Sequence, residues 1–166
     1  MKVRAVDYIG LPPSKPLNIE VDDREKLPYV YPSRYALCHK KHLKTFDYRL
    51  KDDHGWAVER KSIPDLISSF FTHGARELRK VERAKDEFDK GLPVVYVIEG
   101  TVTDVVKYRQ WHRFKRGNSQ GFISHKFNLA IKHNFVLQWC RDRDEAGLVM
   151  YRLLKNRDKQ LKKEKR

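Results

Sequence analysis

The sequence feature that most constrains the fold is an uninterrupted apolar run near the middle of the chain. Residues 94–98 read VVYVI, with no polar residue among them. A strand without alternating polar residues is typical of one that is covered on both faces. The chain is therefore expected to form a domain around a sheet whose centre is buried between helices.

Hydrophobic periodicity and turn-forming residues predict the elements around this strand. The other predicted strands cover residues 18–21, 46–50, 56–61 and 135–140. The predicted helices are one that starts at Ser62, one over 75–90 after a break at Gly74, one over 120–133 and one over 144–155. This order predicts a single α/β domain with a mixed central sheet flanked by helices. Its expected parts are an N-terminal extension over 1–17, the domain over 18–156 and a basic tail over 157–166.

Positive charge is concentrated in three parts of the sequence. The 166 residues include 36 Lys and Arg against 22 Asp and Glu, a net charge of +14. Segments 38–51, 105–116 and 151–166 carry +4, +5 and +6 of this charge. Such patches are suited to neutralising phosphates, although a lysine-rich end can equally be a solvated tail.

Two further features of the sequence limit where and how the protein works. No apolar run approaches the roughly 20 residues of a membrane span, and no signal peptide is recognisable. We therefore expect an intracellular protein without a membrane partner, cytoplasmic or nucleoid-associated, with a compact size that would also suit a virus-encoded enzyme. The cysteines Cys38 and Cys140 form no CxxC pair, and Cys38 with His39 and His42 falls short of four zinc ligands.

The run WAVERK at residues 56–61 carries the strongest chemical signal. On a strand, Glu59 and Lys61 share one face while Arg60 points to the other. A carboxylate beside an ammonium suits phosphodiester hydrolysis, with a divalent metal on the carboxylate and the lysine offsetting phosphate charge. Asp47, on the partner strand of the predicted hairpin, can supply a second carboxylate. The alternative is an exposed edge strand with ordinary surface ion pairs.

A longer pattern around this run resembles a known family. Residues 59–65, ERKSIPD, are similar to the ERKxxxD signature of the XPF/Hef/Mus-type structure-specific endonucleases, and residues 21–25, VDDRE, resemble an upstream element of that family. The resemblance covers residues 18–100 well and the rest by element order only. It implies a restriction-endonuclease-like fold and metal-dependent cleavage of DNA beside junctions between duplex and single strand.

The resemblance also implies roles for particular residues. The metal would be Mg²⁺, with Mn²⁺ as a substitute, on Asp47 and Glu59 with Asp22 as a further ligand, and Lys61 would be the catalytic lysine. The expected supporting groups around the site are Asp22, Arg24, Glu25, Arg60 and Asp65. Asp65 has an equally good structural role as the acid of a helix capping box. Phe46 departs from the family pattern, because a glycine is normal at that position.

A basic and aromatic segment at residues 107–117, KYRQWHRFKRG, is the predicted DNA contact. Cations can neutralise phosphates, and exposed aromatic rings can stack on unpaired bases. The expected DNA-binding residues are Lys107, Arg109, Trp111, Arg113, Lys115 and Arg116. The alternative is that Trp111 and Phe114 pack the segment onto the core.

Together these observations predict a metal-dependent DNA endonuclease that acts on branched, flapped or forked DNA, and that could work as a homodimer. The alternatives are a junction resolvase or nicking nuclease of the same fold, or a catalytically silent DNA-binding scaffold. The helix-hairpin-helix repeats that help many family members grip DNA are absent from the sequence, so the substrate preference does not follow from the resemblance.

Overall fold

A computed structural model describes residues 13–89, 91–108 and 118–165 of the chain. The strands are β1 (Leu17–Asp22), β2 (Ala36–Lys41), β3 (Tyr48–Leu50), β4 (Val58–Ser62), β5 (Val94–Glu99) and β6 (Phe135–Cys140). The helices are α1 (Ile63–Glu87), α2 (Val102–Val106), α3 (Ser119–His133) and α4 (Arg143–Glu164).

The six strands form one mixed sheet in the order β2-β1-β3-β4-β5-β6. β3 pairs antiparallel with both β1 and β4, whereas the β1–β2, β4–β5 and β5–β6 pairs are parallel. Residues 94–98 of β5 are all buried. Tyr96 contacts α1 through its hydroxyl group, and Glu99 at the end of β5 contacts Arg143 of α4. The predicted fold class, a mixed sheet flanked by helices, is thus confirmed.

The start of α1 follows from local sequence. Ser62 is the N-cap, and its Oγ accepts a hydrogen bond from the backbone N–H of Asp65 at 3.3 Å. Pro64 lies in the first turn, where its missing N–H costs nothing. The transition from strand to helix therefore occurs immediately after the chemically important residues of β4.

Four elements differ from the sequence expectation. α1 passes through Gly74 without a break, because a glycine inside a helix costs only about 1 kcal/mol and the buried residues Val81 and Ala84 hold the later turns. β2 is an additional strand, in which five of six residues are exposed. α2 is an additional short helix, capped by Thr101 and Asp104. α4 extends to Glu164 and so includes most of the expected tail.

Arg157 of α4 joins two distant parts of the fold. Its guanidinium donates to Asp53 in the β3–β4 turn at 2.7 Å and also to Asp89, which follows α1. The Arg157 and Asp53 side chains are 5% and 4% exposed, whereas that of Asp89 is 57% exposed. The Arg157–Asp53 pair is therefore a buried ion pair that fixes α4 against the β3–β4 hairpin.

We expect Arg157→Ala to lower the free energy of unfolding by about 3 kcal/mol, because it leaves the buried Asp53 carboxylate without its cation. Urea denaturation measures this change. Arg152→Ala is the matched control, since Arg152 is an exposed residue of the same helix. A loss below about 0.5 kcal/mol, the range of ordinary surface substitutions, would show that the pair does not stabilise the fold.

Candidate active site

β4 presents Glu59 and Lys61 on one face of the sheet and Arg60 on the other, as the sequence alternation predicts. The Lys61 Nζ lies 3.0 Å from Glu59 Oε1. The Arg60 guanidinium instead pairs with Glu99 at 2.7 Å and Glu25 at 3.3 Å. Glu59 is only 2% exposed, so this is not an exposed edge strand with surface ion pairs.

Asp47 lies directly before β3 and beside Glu59. Its backbone N–H donates to the carbonyl of Val58 at 3.2 Å, and its carboxylate accepts from the backbone N–H of Arg60 at 2.8 Å. Burial and the negative charge of Glu59 raise the pKa of Asp47 well above its ordinary value. The pKa of Glu59 is lowered, because the charges of Lys80 and Lys61 outweigh the effect of its burial. Of the two carboxylates, Glu59 is therefore the more readily ionised.

Phe46 stands at the position where the family pattern has a glycine, and its packing allows the same backbone conformation. Its backbone has a φ of 64°, in the left-handed region that glycine adopts most readily. The ring is buried edge-on against Phe88 and Tyr96, with centroid distances of 5.7 and 5.5 Å. Packing of this ring offsets the backbone strain, and the turn still places Asp47 beside Glu59.

Helix α1 adds residues to the site that the sequence analysis did not identify. Lys80 Nζ donates to Glu59 Oε2 at 2.5 Å and lies over the Phe46 ring. Glu77 lies 3.7 Å from Lys61 Nζ and accepts a hydrogen bond from the Tyr96 hydroxyl. Ser69 Oγ accepts from Lys61 at 3.3 Å. Glu59 is thus held between two lysines that come from different elements.

Lys61, Ser69, Glu77 and Lys80 line an open cleft of about 410 Å³ between α1 and the segment that precedes β3, whereas the buried Glu59 is not part of its lining. Its lining includes four acidic side chains, Asp22, Glu25, Asp47 and Glu77. The cationic lining residues are Arg24, Lys44, Lys61, Arg76, Arg79, Lys80 and Arg83. An acidic centre inside a mainly cationic cleft can receive a phosphate chain and hold a cation against it.

The VDDRE element occupies one wall of this cleft. Asp22 is buried, and its carboxylate accepts from the Arg24 guanidinium at 2.5 Å. Burial opposes ionisation of Asp22, but the hydrogen bonds from Arg24 lower its pKa overall. Arg24 also donates to the carbonyl of Leu43 at 2.7 Å, which connects this element to the segment that carries Asp47.

Comparison with known proteins places this geometry in a family. The family model described as the ERCC4 domain matches residues 21–153. The chain belongs to the ERCC4 domain family. The match includes the VDDRE element, Asp47, the ERKxxxD run and α3, and family membership supports assignment of the chain to the DNA endonucleases.

Solved structures with a similar fold agree with the family match. XPF from Aeropyrum pernix has a TM-score of 0.65 and 22% identity, over 89% of this chain and 68% of that chain. XPF from Aeropyrum pernix in complex with DNA has a TM-score of 0.63 and 23% identity, over 87% of this chain and 66% of that chain. The expected restriction-endonuclease-like fold is thereby confirmed. A comparison with the curated proteins found no match.

Some predicted residues of this ERCC4 domain lie away from the cleft lining. Arg60 points to the opposite face of the sheet. Asp65 is exposed and accepts a hydrogen bond from Ser62 Oγ at 2.6 Å, which links it to the N-cap of α1, and both its capping-box role and its part in catalysis stay predictions. Lys107 is exposed after α2. The rest of the predicted DNA contact, residues 109–116, falls outside the described residues.

The donor set fits a divalent metal. Desolvation and the neighbouring Glu59 carboxylate raise the pKa of Asp47, and a bound cation would offset both effects. Carboxylate oxygens beside a water-accessible cleft are ligands that Mg²⁺ prefers. Within the described part of the chain, the only group of three potential ligands that lie close together is Asp22, Asp23 and His42, of which Asp23 and His42 are exposed. The ligand role of Asp22 stays a prediction.

Lys126 brings a further positive charge towards the site from α3. Its side chain is buried, with the Nζ 5.6 Å from the Phe122 ring. Burial and the charge of Lys61 lower the pKa of Lys126 to about 8, against a partial opposing effect of Glu77. Above its folded-state pKa, Lys126 is neutral in the native protein and still charged in the unfolded chain. Stability should therefore rise from about pH 8 to pH 10.

We expect Lys126→Met to remove this rise, which can reach about 1.4 kcal/mol per pH unit for one proton. Urea unfolding at pH 7, 8, 9 and 10 measures the difference between wild type and variant. Lys132→Met, at an exposed position of the same helix, is the control. Parallel stability curves for wild type and Lys126→Met would contradict the lowered pKa.

None of the helices in residues 13–89, 91–108 and 118–165 is long and apolar enough to cross a membrane.

Proposed function

We propose that this ERCC4 domain is a divalent-metal-dependent endonuclease that cleaves branched, flapped or forked DNA. The observation that carries the proposal is the adjacent pair of carboxylates, the buried Glu59 and the partly exposed Asp47, with Lys61 in contact with Glu59 at the edge of a cationic cleft. Solved XPF in complex with DNA, with the same fold, supports DNA as the substrate.

The chain's own residues divide the work of hydrolysis. Asp47 and Glu59 would hold Mg²⁺ or Mn²⁺, and Asp22 is a further candidate ligand. A divalent cation there would supply positive charge to the reacting phosphate and make water a better nucleophile at neutral pH. Lys61 would place its ammonium beside the phosphate, where negative charge increases in the transition state. Glu77 and Ser69 orient that ammonium.

The preference for branched DNA and a homodimeric state rest on the family resemblance. The predicted contact over residues 107–116 would bind the single-stranded arm by stacking and phosphate neutralisation. These parts of the proposal concern substrate choice, and they are separable from the hydrolytic chemistry of the cleft.

A cleavage assay on labelled flaps, forks, bubbles, four-way junctions and plain duplex tests the function. We expect nicks close to branch points, with Mg²⁺ or Mn²⁺ required and EDTA inhibitory. Equal cleavage of plain duplex would contradict the branched-DNA preference but keep the nuclease. Binding to all substrates without cleavage under any metal condition would indicate the silent scaffold instead.

A further inference from the structure

Helix α1 carries a row of arginines along the cleft. We call Arg76, Arg79 and Arg83 the arginine row. All three are exposed and line the cleft. Their spacing of three and four residues places them on one face of the helix. Lys44, from the segment before β3, is a further exposed cation in the lining of the same cleft. The cleft thus offers positive charge from two separate parts of the chain.

The row differs from the other cations of the cleft in its partners. Lys61 and Lys80 pair with Glu59, and Arg24 pairs with Asp22. Among the residues that the structure describes, no ion pair involves Lys44 or any arginine of the row. Exposed guanidinium groups without a carboxylate partner suit bidentate binding of phosphate oxygens.

The length of the row matches a short stretch of DNA backbone. Seven residues of helix separate Arg76 from Arg83, about 10 Å along the helix axis. Phosphates of one DNA strand rise by about 3.4 Å each along the duplex axis, so a row aligned with that axis would span about three phosphate steps. Lys80, which contacts Glu59, lies between the two ends of the row. The row therefore extends to both sides of the catalytic carboxylates.

We propose that Arg76, Arg79 and Arg83, with Lys44, bind the DNA backbone on both sides of the phosphodiester that is cleaved. This inference rests on the proposed function and adds a DNA-binding surface to it. The surface is distinct from the predicted contact over residues 107–116. It would bind duplex and branched DNA alike, because phosphate contacts carry no base information.

The test measures binding in the absence of cleavage. The background is Asp47→Asn, and the probe is a fluorescently labelled fork titrated at several salt concentrations without divalent metal. Changing the three arginines of the row together to alanine should reduce the slope of log affinity against log salt by about 2 to 3, since each lost phosphate contact removes about 0.9. Lys44→Ala alone should reduce it by about 1.

The control removes the same charge elsewhere. Lys85, Arg152 and Lys159 are exposed helical residues outside the cleft lining, and changing these three to alanine should lower the slope by less than the triple arginine change. Unchanged affinity and slope in the row variant, an equal loss in the control, or no DNA binding by the background protein would each overturn the inference. Thermal unfolding of each variant verifies that it is folded.

A parallel assay keeps this inference separate from the proposed function. Wild-type protein is incubated with Mg²⁺ and the same fork. Cleavage together with an unchanged salt slope in the row variant would refute the arginine row alone. Row-dependent binding without any wild-type cleavage would refute the endonuclease while the DNA surface stands.

Discussion

Asp47→Asn is expected to lower the single-turnover cleavage rate by about 10²- to 10³-fold or more, the scale for losing a preorganised charged group at the reacting phosphate. The substitution removes the negative charge that would hold the metal. The asparagine keeps an oxygen that can accept a hydrogen bond from the backbone N–H of Arg60. In the wild-type protein this N–H lies 2.8 Å from the Asp47 carboxylate. DNA affinity should be maintained, because no cation is removed. Quenched-flow cleavage with saturating protein measures the rate.

Stability provides an internal check on the Asp47 prediction. Because Glu59 disfavours a second negative charge, the asparagine variant should be at least as stable as wild type without metal. Mg²⁺ should raise the Tm of wild type by binding the native state and have a smaller effect on the variant. Asp52→Asn, at an exposed position in the adjacent turn, is the matched control. Wild-type turnover in Asp47→Asn would remove Asp47 from the mechanism.

Lys61→Ala should lower the rate of cleavage of bound DNA by about 10²-fold, because the ammonium acts on charge that develops in the transition state. Affinity for DNA should change little by comparison. Single-turnover rates at saturating protein separate the two effects. Normal cleavage of bound DNA with weakened affinity would make Lys61 a phosphate-binding residue only.

Lys80→Ala distinguishes two explanations for a Lys61 effect. Both lysines contact Glu59, with Nζ to Oε distances of 3.0 Å for Lys61 and 2.5 Å for Lys80. If Lys61 acts on the phosphate, Lys61→Ala should lower the rate more than Lys80→Ala. Equal losses would mean that both lysines act only by positioning the Glu59 carboxylate.

The centre of the sheet was predictable because local pattern and burial agree there. The apolar run became β5, and the alternation in WAVERK correctly placed Glu59 and Lys61 together. β2 was not predictable from alternation, because an edge strand with five exposed residues of six has no buried face to mark it. The break expected at Gly74 was wrong, since packing over 25 residues outweighs one unfavourable residue.

The site was predictable only where its residues are close in sequence or match the family pattern. Lys80 and Glu77 reach the carboxylates because α1 crosses beside β4, and that contact depends on tertiary packing. The sequence did contain a signal: cations at positions 76, 79, 80 and 83, beside a buried stripe that includes Val81 and Ala84. The sequence analysis missed this signal because it expected a helix break at Gly74. With that break, positions 76–83 belong to a separate helix and not to the one that directly follows β4.

The continuity of α1 has a mechanical consequence. One helix of 25 residues carries the arginine row, and its Lys80 and Glu77 contact Glu59 and Lys61. A helix moves largely as a rod, so any tilt or rotation of α1 that adapts the row to a bent or branched backbone also moves Lys80 relative to Glu59. If the arginine row binds DNA as proposed, the shape of the bound backbone would be transmitted to the carboxylates through this one rigid helix.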